Sequence, residues 1–317
     1  MSSSATVDAA ARRLFIARRS AWPLAIARII IGLTIFLWSI TMLFDVPALL
    51  GENAVLPPEL ASDRFRWITL DTSTEIRLGL VGLTLASLAI IVGWKPTIWL
   101  LAAFVLLVAV QRRNPLILNS GDIILRNLTL LLAFTPTGAA LSFDRYRRLG
   151  RDALSSAGMV APWGLRLVQL QVMVVYLVAF WSKSGNEWHE GTAVSTALRL
   201  QDLQRFGQLD VLVDSIWIVA ALTWGILVVE LILGTLLWYK PLRPLLIVLG
   251  VLLHLCIGGL MLVGPFGLAM TAGLMTFLDA DAIDALMRAR RRRQLEPESV
   301  APDVDVESET ESASATT

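Results

Sequence analysis

Eight apolar runs, each bounded by charge, Pro or Gly, dictate what this chain can fold into. They lie near residues 22–44, 76–93, 96–111, 122–141, 163–183, 211–238, 242–263 and 265–279, the third and last being short. A helix that crosses a bilayer needs about 20 mainly apolar residues, and most of these runs have that length. Composition agrees, since 56% hydrophobic and 17% charged residues give more apolar surface than a soluble fold of 317 residues can hide. The first run is too long for a cleavable signal and lacks a small-residue cleavage pattern after it, so it is expected to stay as a helix. The sequence predicts an all-α polytopic membrane helical bundle with about eight transmembrane helices.

Eight crossings place both termini on one side, and the basic residues indicate which side that is. Sixteen of the 27 Lys and Arg residues share the face of the termini: Arg12 to Arg19, Lys95, Arg145 to Arg151, Lys240, Arg243 and Arg288 to Arg293. Eight fall on the other face, and Arg28, Arg126 and Arg166 lie inside runs. Excess Lys and Arg in short loops marks the cytoplasmic side, so both termini are expected there. The basic runs are thus topology signals and imply no nucleic-acid partner; the lipid bilayer is the partner they imply. Residues 1–20 form a basic cytoplasmic segment and 21–293 the membrane domain. Residues 294–317 carry seven acids and neither bases nor aromatics, a composition that predicts a disordered cytoplasmic tail.

Cys256 is the only cysteine and there are two histidines, which excludes an internal disulfide and a Cys/His metal cluster. A bis-His haem is not supported either, because His254 alone lies within a run. The two long connections, 45–75 and 184–210, share the extracytoplasmic face, so a site is expected there.

Ionisable groups inside a membrane are costly and tend to face the bundle interior. Arg166, Gln169, Met173, Tyr176, Phe180 and Lys183 follow one another at intervals of 3 and 4, which aligns them on one helix face. From Gln169 to Lys183 this polar stripe extends about 21 Å. Depth counted from the run ends groups Arg28, Arg166 and Glu230 in an inner layer, read as mutually neutralising pairing or as a proton path. An outer layer holds Lys183, Tyr176, His254, Asp122 and Arg126. Asp122 and Arg126 are one turn apart and suit an i,i+4 pair as well as a functional role. Lys183 is either a lysine whose stem lies in lipid with its ammonium at the headgroups, or an amine in a dry site suited to act as a general base. Trp188, between Gly185 and Gly191, fits a tight loop with an interfacial aromatic, and residues 192–206 suggest an interfacial helix over the site. The Asn127-Leu-Thr129 sequon falls within the fourth run and is read as meaningless.

Several segments together resemble the horizontally transferred transmembrane (HTTM) domain family, to which the vitamin K-dependent gamma-carboxylase belongs. They are GENAVLPPEL, RRNPLILNSGD, SFD, Gln171 and Tyr176 followed by KSGNEWHEGTA, and HLCIGGLMLVGPFGLAMTAGLMTFL. The resemblance implies that Lys183 is a general base acting on a reduced naphthoquinone of the vitamin K or menaquinone type. It further implies that Trp188, Glu190 and Gly191 shape the quinone pocket and that His254 lies beside it. The chain departs from the carboxylase in lacking its large soluble outer domain, and in having Asn119-Ser120-Gly121-Asp122 where the carboxylase carries a functional histidine. Three functional classes follow: a quinol-dependent carboxylase-like or oxidoreductase enzyme, a non-catalytic membrane component binding lipid, quinone or a protein partner, and a transporter. Reporter tags fused to the two termini are expected to be protected from impermeant reagents in intact cells and exposed in inverted membranes.

Overall fold

The computed structural model describes residues 15–56, 70–206 and 213–295. The predicted tail and the middle of the first long connection lie outside those residues. Nine principal helices account for most of the remainder: α1 Trp22–Asp45, α2 Ser73–Val92, α3 Pro96–Arg113, α4 Ser120–Ala133, α5 Trp163–Ser182, α6 Ile216–Leu236, α7 Arg243–Leu260, α8 Phe266–Met275 and α9 Ala280–Leu295. A two-residue antiparallel ladder pairs β1 (Arg19–Ser20) with β2 (Met159–Val160), tying the start of the chain to the loop before α5.

Six helices are long and apolar enough to cross a membrane, α1 to α3 and α5 to α7. The fourth and eighth predicted spans are corrected. Each is a helix pair bent sharply at a break: α4 with residues 137–149 at 67°, and α8 with α9 at 77°. The fold therefore offers six to eight crossings, depending on whether each bent pair counts as one. The first break has Pro136 as its cause, since proline cannot donate to the helix ladder and disfavours helical geometry in the residue before it. At the second, Thr276 turns its hydroxyl back onto Gly273 O at 2.6 Å, and Asp279 then caps α9 by accepting from Asp281 N at 3.0 Å.

α8 lies at the centre of the bundle and packs against α1, α4, α5 and α7. Its residues are apolar or small all round, FGLAMTAGLM, as a helix enclosed on every side requires. Small residues let the backbones approach: a Cβ at Gly273 would stand 2.5 Å from Val172 of α5, and one at Gly121 of α4 would stand 2.5 Å from Phe266 N. The starts of α4 and α8 are thus pressed together. Asn119 caps α4 by accepting from Gly121 N at 2.7 Å, and Asp122 returns the bond by accepting from Asn119 N at 2.9 Å.

Arg28 is fully buried in α1, yet its partners are backbone carbonyls and not Glu230. Its Nη1 donates to Thr137 O at 2.7 Å and Ala140 O at 3.3 Å; its Nη2 donates to Leu141 O. These carbonyls belong to the irregular backbone that follows the break after α4. The expected Arg28–Arg166–Glu230 layer is therefore corrected: the arginine was needed by irregular backbone, which a hydrocarbon surrounding cannot solvate. Replacing Arg28 by Ala orphans these buried acceptors at roughly 1–3 kcal/mol each. Arg28→Ala is expected to lower thermal stability in lipid nanodiscs by about 3 kcal/mol or more, with Arg28→Lys recovering only part of it because an ammonium lacks the guanidinium fork.

Candidate functional site

The polar stripe of α5 faces the bundle, and all its members but Phe180 meet a specific partner. At its first end Arg166 Nη1 donates to Gln169 Oε1 at 2.7 Å, and its guanidinium lies 5.0 Å from the centre of the Trp238 ring. Gln169 in turn donates from Nε2 to Thr276 O at 2.7 Å, satisfying a carbonyl at the break after α8. The Trp238 indole N–H points at Met173 Sδ. Halfway along, the Tyr176 hydroxyl and His254 Nε2 of α7 form a hydrogen bond of 2.7 Å, both side chains being buried. His254 Nδ1 is enclosed without a hydrogen-bond partner among the described residues.

At the far end is Lys183, the residue after the last turn of α5. Its Nζ donates to both Glu230 carboxylate oxygens at 2.7 Å and to Ala179 O at 3.1 Å. The side chains of Lys183 and Glu230 are only 21% and 10% exposed. The ammonium also lies 5.4 Å from the centre of the Trp188 ring. Lys183 therefore points between helices and is not a snorkelling residue. Glu230, expected near Arg28 and Arg166, is the counter-ion of Lys183 instead. Depth counted from run ends therefore does not transfer between α5 and α6.

The pair forms part of the wall of an apolar cavity of about 890 Å³. Four helices enclose it: α4 through Ser120, Ile124 and Asn127; α5 from Gln171 to Ser182; α6 from Ala221 to Glu230; α7 from Leu249 to Leu260. The short helix Ala193–Arg199 and Trp188 cover it, as expected for residues 192–206. This cover is fixed to α6: Val194 N donates to Thr223 Oγ1 at 3.2 Å, and Trp224 Nε1 donates to Trp188 O at 3.1 Å. Gly191 makes the turn between them at φ +76°, where a side chain would be strained and would press on Ala220 and Trp224.

Residues 18–281 match the family model of the HTTM domain. The chain belongs to the HTTM domain family. None of the curated proteins and none of the solved structures compared with it matches. The HTTM match extends from β1 to the start of α9 and includes the cavity and its cover.

Within this HTTM fold the expected pocket residues are distributed unevenly. Lys183 and Trp188 line the cavity. Tyr176 and His254 sit one layer behind, with Phe266 between: its ring lines the cavity and stands edge-on to His254 at 5.3 Å. Gly191 shapes the cover from outside. Glu190 is exposed, Asp122 caps the start of α4 and Arg126 reaches toward α3, so the structure does not bring these three to the cavity wall. Arg126 donates to Gln111 Oε1 at 3.4 Å, and no ion pair joins it to Asp122 among the described residues. The described residues also contain no group of three His, Cys, Asp or Glu placed to hold a metal ion.

Sequence reasoning missed Glu230 as the partner of Lys183, and missed Ser120, Asn127 and Ser182 as lining. Asn127 belongs to the sequon read as meaningless. Its signal was the spacing Ser120, Ile123, Ile124, Asn127, a single helix face bearing two polar residues within a run. Breaking a buried ion pair by removing one partner costs about 3–5 kcal/mol, while replacing both by apolar residues is often neutral. Glu230→Ala is therefore expected to destabilise the protein by about 3 kcal/mol and Lys183→Met/Glu230→Leu by less than about 1 kcal/mol, as read from melting in nanodiscs.

Proposed function

We propose that this integral membrane protein acts on a reduced naphthoquinone, with Lys183 as the base that takes the proton of a quinol hydroxyl. The observation that supports this reading is the Lys183–Glu230 pair, placed in the wall of a large apolar cavity. A volume of about 890 Å³ falls in the range of small-molecule sites, which are mainly apolar with a few convergent polar groups. The lining fits such a ligand: Trp188 and Phe266 offer aromatic faces to a bicyclic ring, Lys183 and Ser182 offer polar contacts, and the aliphatic walls suit an isoprenoid tail. Among the lining residues Ile123, Val174, Val178, Leu222 and Leu252 are also exposed, which suits entry from the bilayer.

The quinol, when bound, supplies two electrons and an acidic hydroxyl. The chain's own residues manage the proton. All three ammonium protons of Lys183 are already donated, so the amine must first release one before it can act as a base. The Glu230 carboxylate, 2.7 Å away, is the acceptor within reach, and transfer to it turns a buried ion pair into a neutral pair. The uncharged amine then accepts the ligand proton, the O–H bond breaks and its electron pair stays on oxygen. The apolar walls and the Ala193–Arg199 cover keep water from competing for that proton. By the distribution of basic residues, the site belongs to the extracytoplasmic half of the membrane.

The same saturation of Lys183 favours a second reading, in which the pair is a fixed polar anchor for a quinone or lipid headgroup and no reaction follows. The purified protein in nanodiscs, given reduced naphthoquinone under air, separates the two. The enzymatic reading expects quinone-level product to form faster than in empty nanodiscs, and Lys183→Ala to slow this by about 100-fold or more. Equal rates, with quinone still bound, would establish the anchor reading.

A further inference from the structure

Two side-chain amides line the large cavity well below the Lys183–Glu230 pair. Asn127 is the eighth of the fourteen residues of α4, and Gln171 the ninth of the twenty of α5, so each lies far from its helix ends. Neither amide makes a hydrogen bond among the described residues. An amide carries two donors and an acceptor, and hydrocarbon satisfies neither kind, so two such groups at mid-membrane call for a polar partner. We propose that Asn127 and Gln171 form a second polar subsite, which takes an uncharged hydroxyl, carbonyl or amide group on the chain of a lipid whose head meets Lys183. This rests on the reading of the large cavity as the ligand site with Lys183 at its polar end.

Close packing brings the two amides to one height. A Cβ at Gly273 of α8 would stand 2.5 Å from Val172 and 3.8 Å from Leu128, the residues next to Gln171 and Asn127. Further along, a Cβ at Gly164 of α5 would stand 2.6 Å from Thr135, which follows α4, so the two helices run antiparallel in this register. Between the amides and the ion pair the wall is apolar, with Ile123 and Ile124 on α4 and Val174, Val175 and Val178 on α5. Gln171 and Ala179, whose carbonyl holds the Lys183 amine, are separated by about 12 Å of helix rise. One six-membered ring cannot span that distance, so a quinol whose hydroxyl meets Lys183 reaches the amides only through its chain.

The chemistry of the lining defines the group that fits. Lys183 is the one cation among the described lining residues, so a phosphate or carboxylate at the height of the amides would be buried without a counter-ion. A hydroxyl, carbonyl or amide pairs there at no such cost. A plain hydrocarbon chain leaves both amides unpaired, and sites built to hydrogen-bond a polar group discriminate against the analogue that lacks it. Ile123 and Val174, beside the amides, are 45% and 44% exposed, so a chain can enter at this height from the bilayer.

Thermal unfolding of the full-length protein in nanodiscs, titrated with 1,10-decanediol or 1-decanol, tests this. The two probes differ by one terminal hydroxyl, and the diol is long enough to join Lys183 to the amides. At equal concentration in the bilayer, the diol is expected to reach half of its maximal stabilisation at about one tenth of the 1-decanol concentration. Asn127→Leu/Gln171→Leu is expected to abolish that tenfold advantage while leaving 1-decanol unchanged. Should the double variant fail to fold, Gln171→Leu alone is expected to reduce the advantage to about threefold. Equal half-points for the two probes would leave the amides to water and overturn the proposal, as would an advantage undiminished in the folded variants. Neither probe is oxidised by the site, so a protein that prefers the diol yet leaves quinol unchanged retains the subsite and loses only the lysine base.

Discussion

Backbone carbonyls that a helix leaves unpaired cannot be solvated by hydrocarbon, and this fold supplies a side-chain donor at most of the places where it breaks or ends a helix. Arg28 serves the carbonyls of residues 137–141 beyond α4, and Gln169 serves Thr276 O after α8. Arg113 and Asn114 serve Gly51 O, Leu56 O and Leu49 O, where α1 ends in a π-type turn. Arg243 serves the turn between α6 and α7, Arg205 Nε reaches Gly258 O near the end of α7, and Lys183 reaches Ala179 O at the end of α5. Most of these are cations at the C-terminal ends of helices, where the partial negative charge of the helix also favours them. The fold can therefore stop short helices inside the membrane, and those stops create its interior.

That rule explains why the central helix can be so short. α8 has ten residues, about 15 Å of length, too little to cross a bilayer. It persists because its glycines and alanines let four neighbours close around it, and because a side chain from α5 receives the carbonyl at the break that follows. Its start, pressed on the start of α4, sets Phe266 between His254 and the large cavity. The cavity is a consequence of the same arrangement: α4 and α8 stop early, and the space between α5, α6 and α7 is covered by a short amphipathic helix instead of a full span.

Much of this was legible in the sequence, because hydrophobic length and the 3.6-residue period are properties of single segments. The six long crossings, the inward face of α5 and the covering helix near Ala193 all follow from such local patterns. What escaped was relational. Depth counted along each run groups Glu230 with the arginines, whereas the packing of α6 on α5 brings it to Lys183. The cavity escaped because its wall on α5, Val174, Val175 and Val178, is apolar and adjoins the polar stripe, so in sequence it cannot be told from a lipid-facing surface. The bends were hidden for a related reason: Pro136 and Thr276 lie inside continuous apolar runs, and a hydropathy profile does not register a change of direction.

The lysine at the end of α5 and the glutamate opposite it carry different weight as evidence for function. A cation at the C-terminus of a helix has a structural reason to exist, since it satisfies Ala179 O and suits the helix dipole, so Lys183 would be useful there in an inert protein. No comparable need exists for Glu230. It lies within α6 with its backbone in regular helix, and an apolar residue there would pack against α5 with no desolvation cost. A carboxylate at that position neutralises the lysine, which water or a lipid headgroup could also do for an exposed cation. The arrangement chosen instead keeps both charges dry, in the wall of a cavity wide enough for a ring system, where a proton has two adjacent sites to occupy. Of the two residues, Glu230 is therefore the one that the packing of an inert fold does not account for.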